Sequence, residues 1–165
     1  MKSQPLTPTV VVLLPRPSAL RDSEAVYPVL GTWPGYACPV LRLDAPLSFW
    51  GEVDPATGRL SDPRSPQHGA LIAGTIMMVP ELRGSSSSSA VVLELLYRGL
   101  APAALILGSV DAIIGLGILV GIEMGLAPFP LLTLPAPAQA SLRQGAMVTI
   151  NADGNLMSPM DRLVR

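Results

Sequence analysis

Short apolar runs, separated by glycine, proline and serine, predict alternating strands and helices along this chain. Val10-Val11-Val12-Leu13-Leu14 has strand character, but Pro5, Pro8, Pro15 and Pro17 crowd it. Residues 1–30 therefore read as a proline-rich N-terminal extension, and residues 31–165 as the domain proper. Tyr36 to Leu43 alternates in the β manner, with Pro39 suited to an edge or a strand start. Asp44 to Gly51 reads as a loop carrying Phe49 and Trp50. Val53 to Leu60 reads as a turn, in which Pro55 presets one backbone angle and Gly58 supplies the exit. Ser61 to Gly69 is a polar loop.

Ala73 to Val79 predicts a buried strand. The helix after it has Val91, Val92, Leu95 and Leu96 on one side and ends near Arg98-Gly99. Ala103 to Leu107 predicts a second buried strand, and Asp111 the cap of a short helix through Ile118. Pro130 to Leu134 and Ala146 to Ile150 supply further strands, and Asn151 to Asn155 a hairpin-like turn. Strands and helices alternate in the middle with β-rich segments at both ends. The expected fold is a single compact α/β domain with mixed strands and a few helices.

Composition narrows the function. With 165 residues the chain makes one domain with a real core. Hydrophobic residues are 49%, charged residues only 14% and the net charge −1, with no basic stripe, which argues against a nucleic-acid partner. Low charge with positive mean hydropathy implies apolar surface covered by another protein. A single cysteine, Cys38, and a single histidine, His68, cannot close a disulfide framework, a metal site or an iron–sulfur site. Cysteine usage fits a reducing, cytoplasmic compartment. The greasy stretch Leu105 to Leu126 is interrupted by Asp111 and Glu123, well short of the about 20 apolar residues of a membrane span. It reads as a buried helix and strand.

The chemistry concentrates in Val79-Pro80-Glu81-Leu82-Arg83-Gly84 and the serines Ser85 to Ser89. A strand, a tight turn and a helix start in that order present free N–H groups and the positive end of a helix dipole, beside hydroxyls. Such a junction suits a carboxylate or phosphate; the plain alternative is a serine linker that caps a helix. Ser85 is the candidate catalytic group, with Arg83, Gly84, Ser86 and Ser87 as candidate substrate contacts. Ser87 or Ser88 is also the candidate N-cap, and Arg83 could equally hold the turn. His68 reads as solvated, Asp54 as the organiser of its turn, and Cys38 as a buried strand residue. Phe49 and Trp50 suit either the core or an interface.

Pro46-Leu47-Ser48-Phe49-Trp50-Gly51, Val53-Asp54-Pro55-Ala56-Thr57-Gly58, Ala73-Gly74 and Arg83 to Ser89 occur in an order that resembles the swivelling domain of the aconitase X group. Ala101-Pro102-Ala103-Ala104 and Ala152-Asp153-Gly154 continue the likeness, which covers about residues 31–157. The chain departs from that pattern at Glu52, where a second glycine is usual, and at Ser65-Pro66-Gln67, where His-Pro-Gln is usual. The resemblance implies a swivelling β/β/α domain and a hydro-lyase small subunit. It implies as partner a large subunit that holds an iron–sulfur cluster, none being bound by this chain alone, and as substrate a small hydroxy acid. It further implies that Ser85 is the proton acceptor and that the isolated chain is inactive.

The Ser-Phe-Trp and serine segments favour cis-3-hydroxy-L-proline or a similar 3-hydroxy acid. The alternatives are a phosphomevalonate dehydratase small subunit, or a non-catalytic swivelling domain that binds a protein partner or a small anion. Neither membrane nor nucleic acid is expected as a partner.

Overall fold

The computed structural model describes residues 9–10, 37–150 and 156–157; the expected turn at Asn151 to Asn155 lies outside them, as does most of the N-terminal extension. In chain order the elements are β1 (Thr9–Val10), β2 (Cys38–Arg42), a helical turn α1 (Phe49–Glu52), β3 (Val53–Asp54), β4 (Arg59–Leu60) and β5 (Ile76–Val79). Then follow α2 (Ser88–Arg98), β6 (Ala104–Leu107), α3 (Ala112–Glu123), β7 (Leu131–Thr133), α4 (Ala136–Ala140), β8 (Met147–Ile150) and β9 (Leu156–Met157).

The main sheet has the order β1-β7-β6-β5-β2-β8-β9. Strands β2, β5, β6 and β7 are parallel neighbours, whereas β1, β8 and β9 add antiparallel pairs at the two sides. Strands β3 and β4 form a separate hairpin. Side-chain alternation gives the parallel strands two buried faces. Met77, Val79, Leu105, Leu107 and Leu131 join the cluster that holds α2 and α3. Val40, Ile76, Met78, Ala104, Ile106 and Leu132 join Val148, Ile150 and Leu156 on the opposite face. The expected mixed α/β domain is what the chain forms.

Several elements differ in extent from the sequence pattern. Helix α3 continues past Ile118 to Glu123. Gly117 and Gly121 do not break it, because they let α2 come close. A Cβ on Gly117 would lie 2.6 Å from the Ser89 carbonyl oxygen, and one on Gly121 would lie 2.6 Å from Leu96 Cδ1. Helix α4 was not expected among Pro135, Ala136 and Pro137, yet proline is tolerated in a first turn. Pro39 sits near a strand start, but in the central β2 rather than at an edge. It precedes the β2–β5 ladder, which begins at Val40 and Ile76, so its missing N–H breaks no parallel pair.

Other local expectations hold. Asp54 accepts from Ala56 N–H at 3.0 Å and from the Thr57 hydroxyl at 2.6 Å, which organises the β3–β4 turn. Helix α2 ends with Leu100 N–H on the Leu95 carbonyl at 2.9 Å and Gly99 N–H on the Leu96 carbonyl at 3.1 Å, a Schellman close.

Asp111 caps α3, accepting from Ile113 N–H and Ile114 N–H at 2.9 Å each. Asp111→Ala leaves both donors unsatisfied and is expected to cost about 1 kcal/mol. Thermal unfolding should show it as a midpoint lowered by about 3 °C.

Candidate functional site

The segments that leave β2, β5 and β6 emerge at the carboxyl edge of the parallel strands, where open α/β sheets place ligands. Two of them run side by side. Leu47 N–H donates to the Glu81 carbonyl at 3.1 Å, and Arg83 N–H donates to the Leu47 carbonyl at 2.8 Å. This pairing sets the Ser48–Glu52 turn against Arg83-Gly84-Ser85. Gly51, with φ 87°, follows Trp50 at φ −72° and ψ 113°, a type II bend that only glycine enters at low cost. The bend separates the aromatic pair: Phe49 is buried in the core and Trp50 is exposed.

Ser85 closes the start of α2. Its Oγ accepts from Ser87 N–H at 3.3 Å, and its carbonyl accepts from Ser88 N–H at 2.9 Å. Ser87 occupies the cap position as expected, but its side chain makes no capping bond; the Ser85 hydroxyl takes the Ser87 N–H just outside the helix. Ser86 contributes its carbonyl, which accepts from the Ser89 hydroxyl at 2.8 Å. Ser88 is buried. Among the described residues, no acceptor engages the backbone N–H groups of Gly84, Ser85 and Ser86. The hydroxyl of Ser85 thus receives a peptide N–H at a helix start whose preceding N–H groups are unengaged, a setting that favours negative charge on oxygen.

Arg83 points elsewhere. Its guanidinium pairs with the Glu52 carboxylate, whose Oε2 also accepts from Ser48 N–H at 2.6 Å. Both side chains line a cleft of about 310 Å³, together with Leu47, Asp62, Arg64 and Gln67. Arg64 donates to both carboxylate oxygens of Asp62, at 3.0 and 3.1 Å. These bonds hold the Asp62 carboxyl below its ordinary range. Ser85 to Ser89 do not border this cleft, so the candidate residues divide into a serine group and a charged group joined through Arg83 and Gly84. Asp62, Arg64 and Gln67 carried no catalytic signature in the sequence; their only mark was the altered Ser65-Pro66-Gln67 stretch. His68 is exposed, and Asp54 serves its turn.

The model of the aconitase X swivel domain matches residues 34–158. The chain belongs to the aconitase X swivel-domain family. The phosphomevalonate dehydratase small subunit of Methanothermobacter thermautotrophicus is 35% identical over 116 residues, covering 70% of this chain and 84% of that protein. The cis-3-hydroxy-L-proline dehydratase of Hypocrea jecorina is 35% identical over 113 residues; they are 68% of this chain but only 19% of that protein. The holo-form crystal structure of Thermococcus kodakaraensis aconitase X superposes with a TM-score of 0.63 at 28% identity, covering 79% of this chain and 98% of that one. The first two of these relatives of the aconitase X swivel domain are named a dehydratase small subunit and a dehydratase, and the small-subunit name implies a large partner.

An iron–sulfur cluster needs several thiolates or comparable donors. Among the described residues, no three His, Cys, Asp or Glu side chains gather to hold a metal. Cys38 is buried in the swivel domain's sheet, and burial pushes its thiol pKa up. The residues described do not fit a cluster. Cys38 is expected to resist iodoacetamide at neutral pH in the folded chain and to react fully once denatured, as mass spectrometry would show. Among the described residues, no helix is long and apolar enough to cross a membrane.

Proposed function

We propose that this swivel domain is the small subunit of an iron–sulfur-dependent hydro-lyase and that Ser85 is the base of an active site completed by a large subunit. The observation that carries the proposal is the setting of Ser85 Oγ. It accepts from Ser87 N–H and neighbours the unengaged N–H groups of Gly84, Ser85 and Ser86. A serine hydroxyl is a poor base unless its alkoxide is stabilised, and peptide donors at a helix start supply that stabilisation. Ser85 removes the proton beside the substrate carboxylate. Gly84, Ser86 and Ser87 line the approach, and Arg83 borders it. The cluster resides in the large subunit, and departure of the hydroxyl is left to that subunit's groups.

The substrate is a 3-hydroxy acid. The Ser48-Phe49-Trp50 and serine segments support cis-3-hydroxy-L-proline. Coverage of 84% of a separate small subunit supports phosphomevalonate more strongly. Co-purification with the large subunit, iron analysis and dehydration assays on both acids test the reading. An iron-bearing complex that turns over one of them bears it out. A stable, iron-free chain that captures no large subunit would favour a non-catalytic swivelling domain.

Gly84 gives a sharper check. Its backbone lies outside the left-handed region, and a Cβ built on it would meet nothing within 4 Å. The fold therefore has no need of glycine there, and the space is open to a ligand. Gly84→Ala is expected to leave stability within about 0.5 kcal/mol of the parent. In the assembled enzyme the added methyl, displacing a bound substrate, should lower kcat/KM by about tenfold or more.

A further inference from the structure

The Glu52 carboxylate is held from two sides. Ser48 N–H donates to Oε2 at 2.6 Å, and the Arg83 guanidinium pairs with Oε1. A backbone N–H and a guanidinium converging on one carboxylate is how proteins bind acidic ligands. Here an acid of the chain itself fills the seat. Its side chain is only 14% exposed, and the bend at Gly51 sets its direction. The second ion pair, Asp62 with Arg64, lines the same cleft, and Asp62 also feels the charge of Arg83. Two carboxylates thus face two guanidinium groups, leaving this wall of the cleft without net charge. Among the described residues, no lining cation is left unneutralised to receive a second anionic group.

We propose that Glu52 is a specificity-determining residue. By holding Arg83 it makes the small subunit refuse a substrate with a phosphate and accept a 3-hydroxy acid whose far end is neutral or cationic. The inference rests on the dehydratase reading above; on the choice of substrate it follows the charges of the cleft, against the small-subunit likeness that supports phosphomevalonate. It works by repulsion as much as attraction: a phosphate entering the cleft meets the Glu52 and Asp62 carboxylates, and Arg83 is already engaged.

Glu52→Gln tests it, since glutamine keeps the size and can still accept from Ser48 N–H while releasing the charge. The assembled enzyme is assayed on cis-3-hydroxy-L-proline and on phosphomevalonate. Separately, the full-length chain is titrated with inorganic phosphate, followed by NMR at the Ser48 amide. The parent enzyme is expected to prefer the unphosphorylated acid. In Glu52→Gln the kcat/KM ratio should move about tenfold or more toward the phosphorylated one, and inorganic phosphate should bind about tenfold tighter or better.

A parent that prefers phosphomevalonate, or an unchanged ratio with unchanged phosphate affinity, overturns the role of Glu52. If neither protein dehydrates either acid, the dehydratase reading falls, and the phosphate titration alone decides. Tighter phosphate binding then upholds the exclusion of anions by Glu52, and unchanged binding overturns it.

Discussion

Ser85→Ala is expected to lower kcat of the assembled two-subunit enzyme by about 10²- to 10⁴-fold, the range a positioned base contributes. KM should stay near the parent value, because a base acts on the transition state rather than on ground-state binding. The fold should tolerate the change. Among the described residues Ser85 Oγ makes one bond, the 3.3 Å acceptance from Ser87 N–H, and α2 keeps its first turn through backbone carbonyls, including that of Ser85 to Ser88 N–H at 2.9 Å. Loss of that one bond should cost about 1 kcal/mol. Ser89→Ala makes the internal control, since Ser89 lies in the same helix start, donates its hydroxyl to the Ser86 carbonyl at 2.8 Å and is not among the substrate contacts. Steady-state kinetics on both variants, with a thermal melt of each, separate chemistry from stability. Near-normal turnover in Ser85→Ala would move the base to another group.

The strands were legible because each buried run is short, apolar and bounded by glycine or proline, as at Met77 to Pro80 or Leu105 to Gly108. Asp111 and Gly99 announced a helix start and a helix end by chemistry that acts locally. The serine loop was legible for the same reason: strand, turn and helix start lie within one stretch of chain. The charged half of the site was not. Glu52 meets Arg83 only because Leu47 pairs with Leu82 across two loops, and that register is a product of tertiary packing. The length of α3 was hidden as well. Glycines that look like breaks in one dimension are contact points once α2 lies against them. Gln139 carried no signal either. It is buried on α4 and donates through Nε2 to the Leu134 carbonyl at 2.8 Å and the Val79 carbonyl at 3.4 Å. A proline-alanine stretch gives no hint that it ties two strand ends together.

Gly108→Ala is expected to have the largest effect on stability, and it reaches the site as well. A Cβ at Gly108 would sit 1.9 Å from the Pro80 carbonyl oxygen and 3.0 Å from its carbonyl carbon. Both are backbone atoms, so no rotamer relieves the clash, and β5 and β6 must part where they end. The Gly108 N–H to Val79 carbonyl bond of 3.0 Å is lost or stretched, and the link from Leu134 N–H to the Leu107 carbonyl, 2.8 Å, is strained beside it. Overpacking of this kind costs about 3 kcal/mol or more. For a domain of this size that lowers the thermal midpoint by about 10 °C. Pro80 is also the first residue of the serine loop, so whatever protein remains folded carries Ser85 displaced, and a shift of about 1 Å at a reacting group is worth about 10²-fold in rate. Gly108→Ala should therefore lose stability and turnover together, whereas Gly84→Ala should lose turnover alone. Matching melts for the two variants would mean that Pro80 yields at little cost, and the serine loop would then be held by its own hydrogen bonds rather than by the strand ends beneath it.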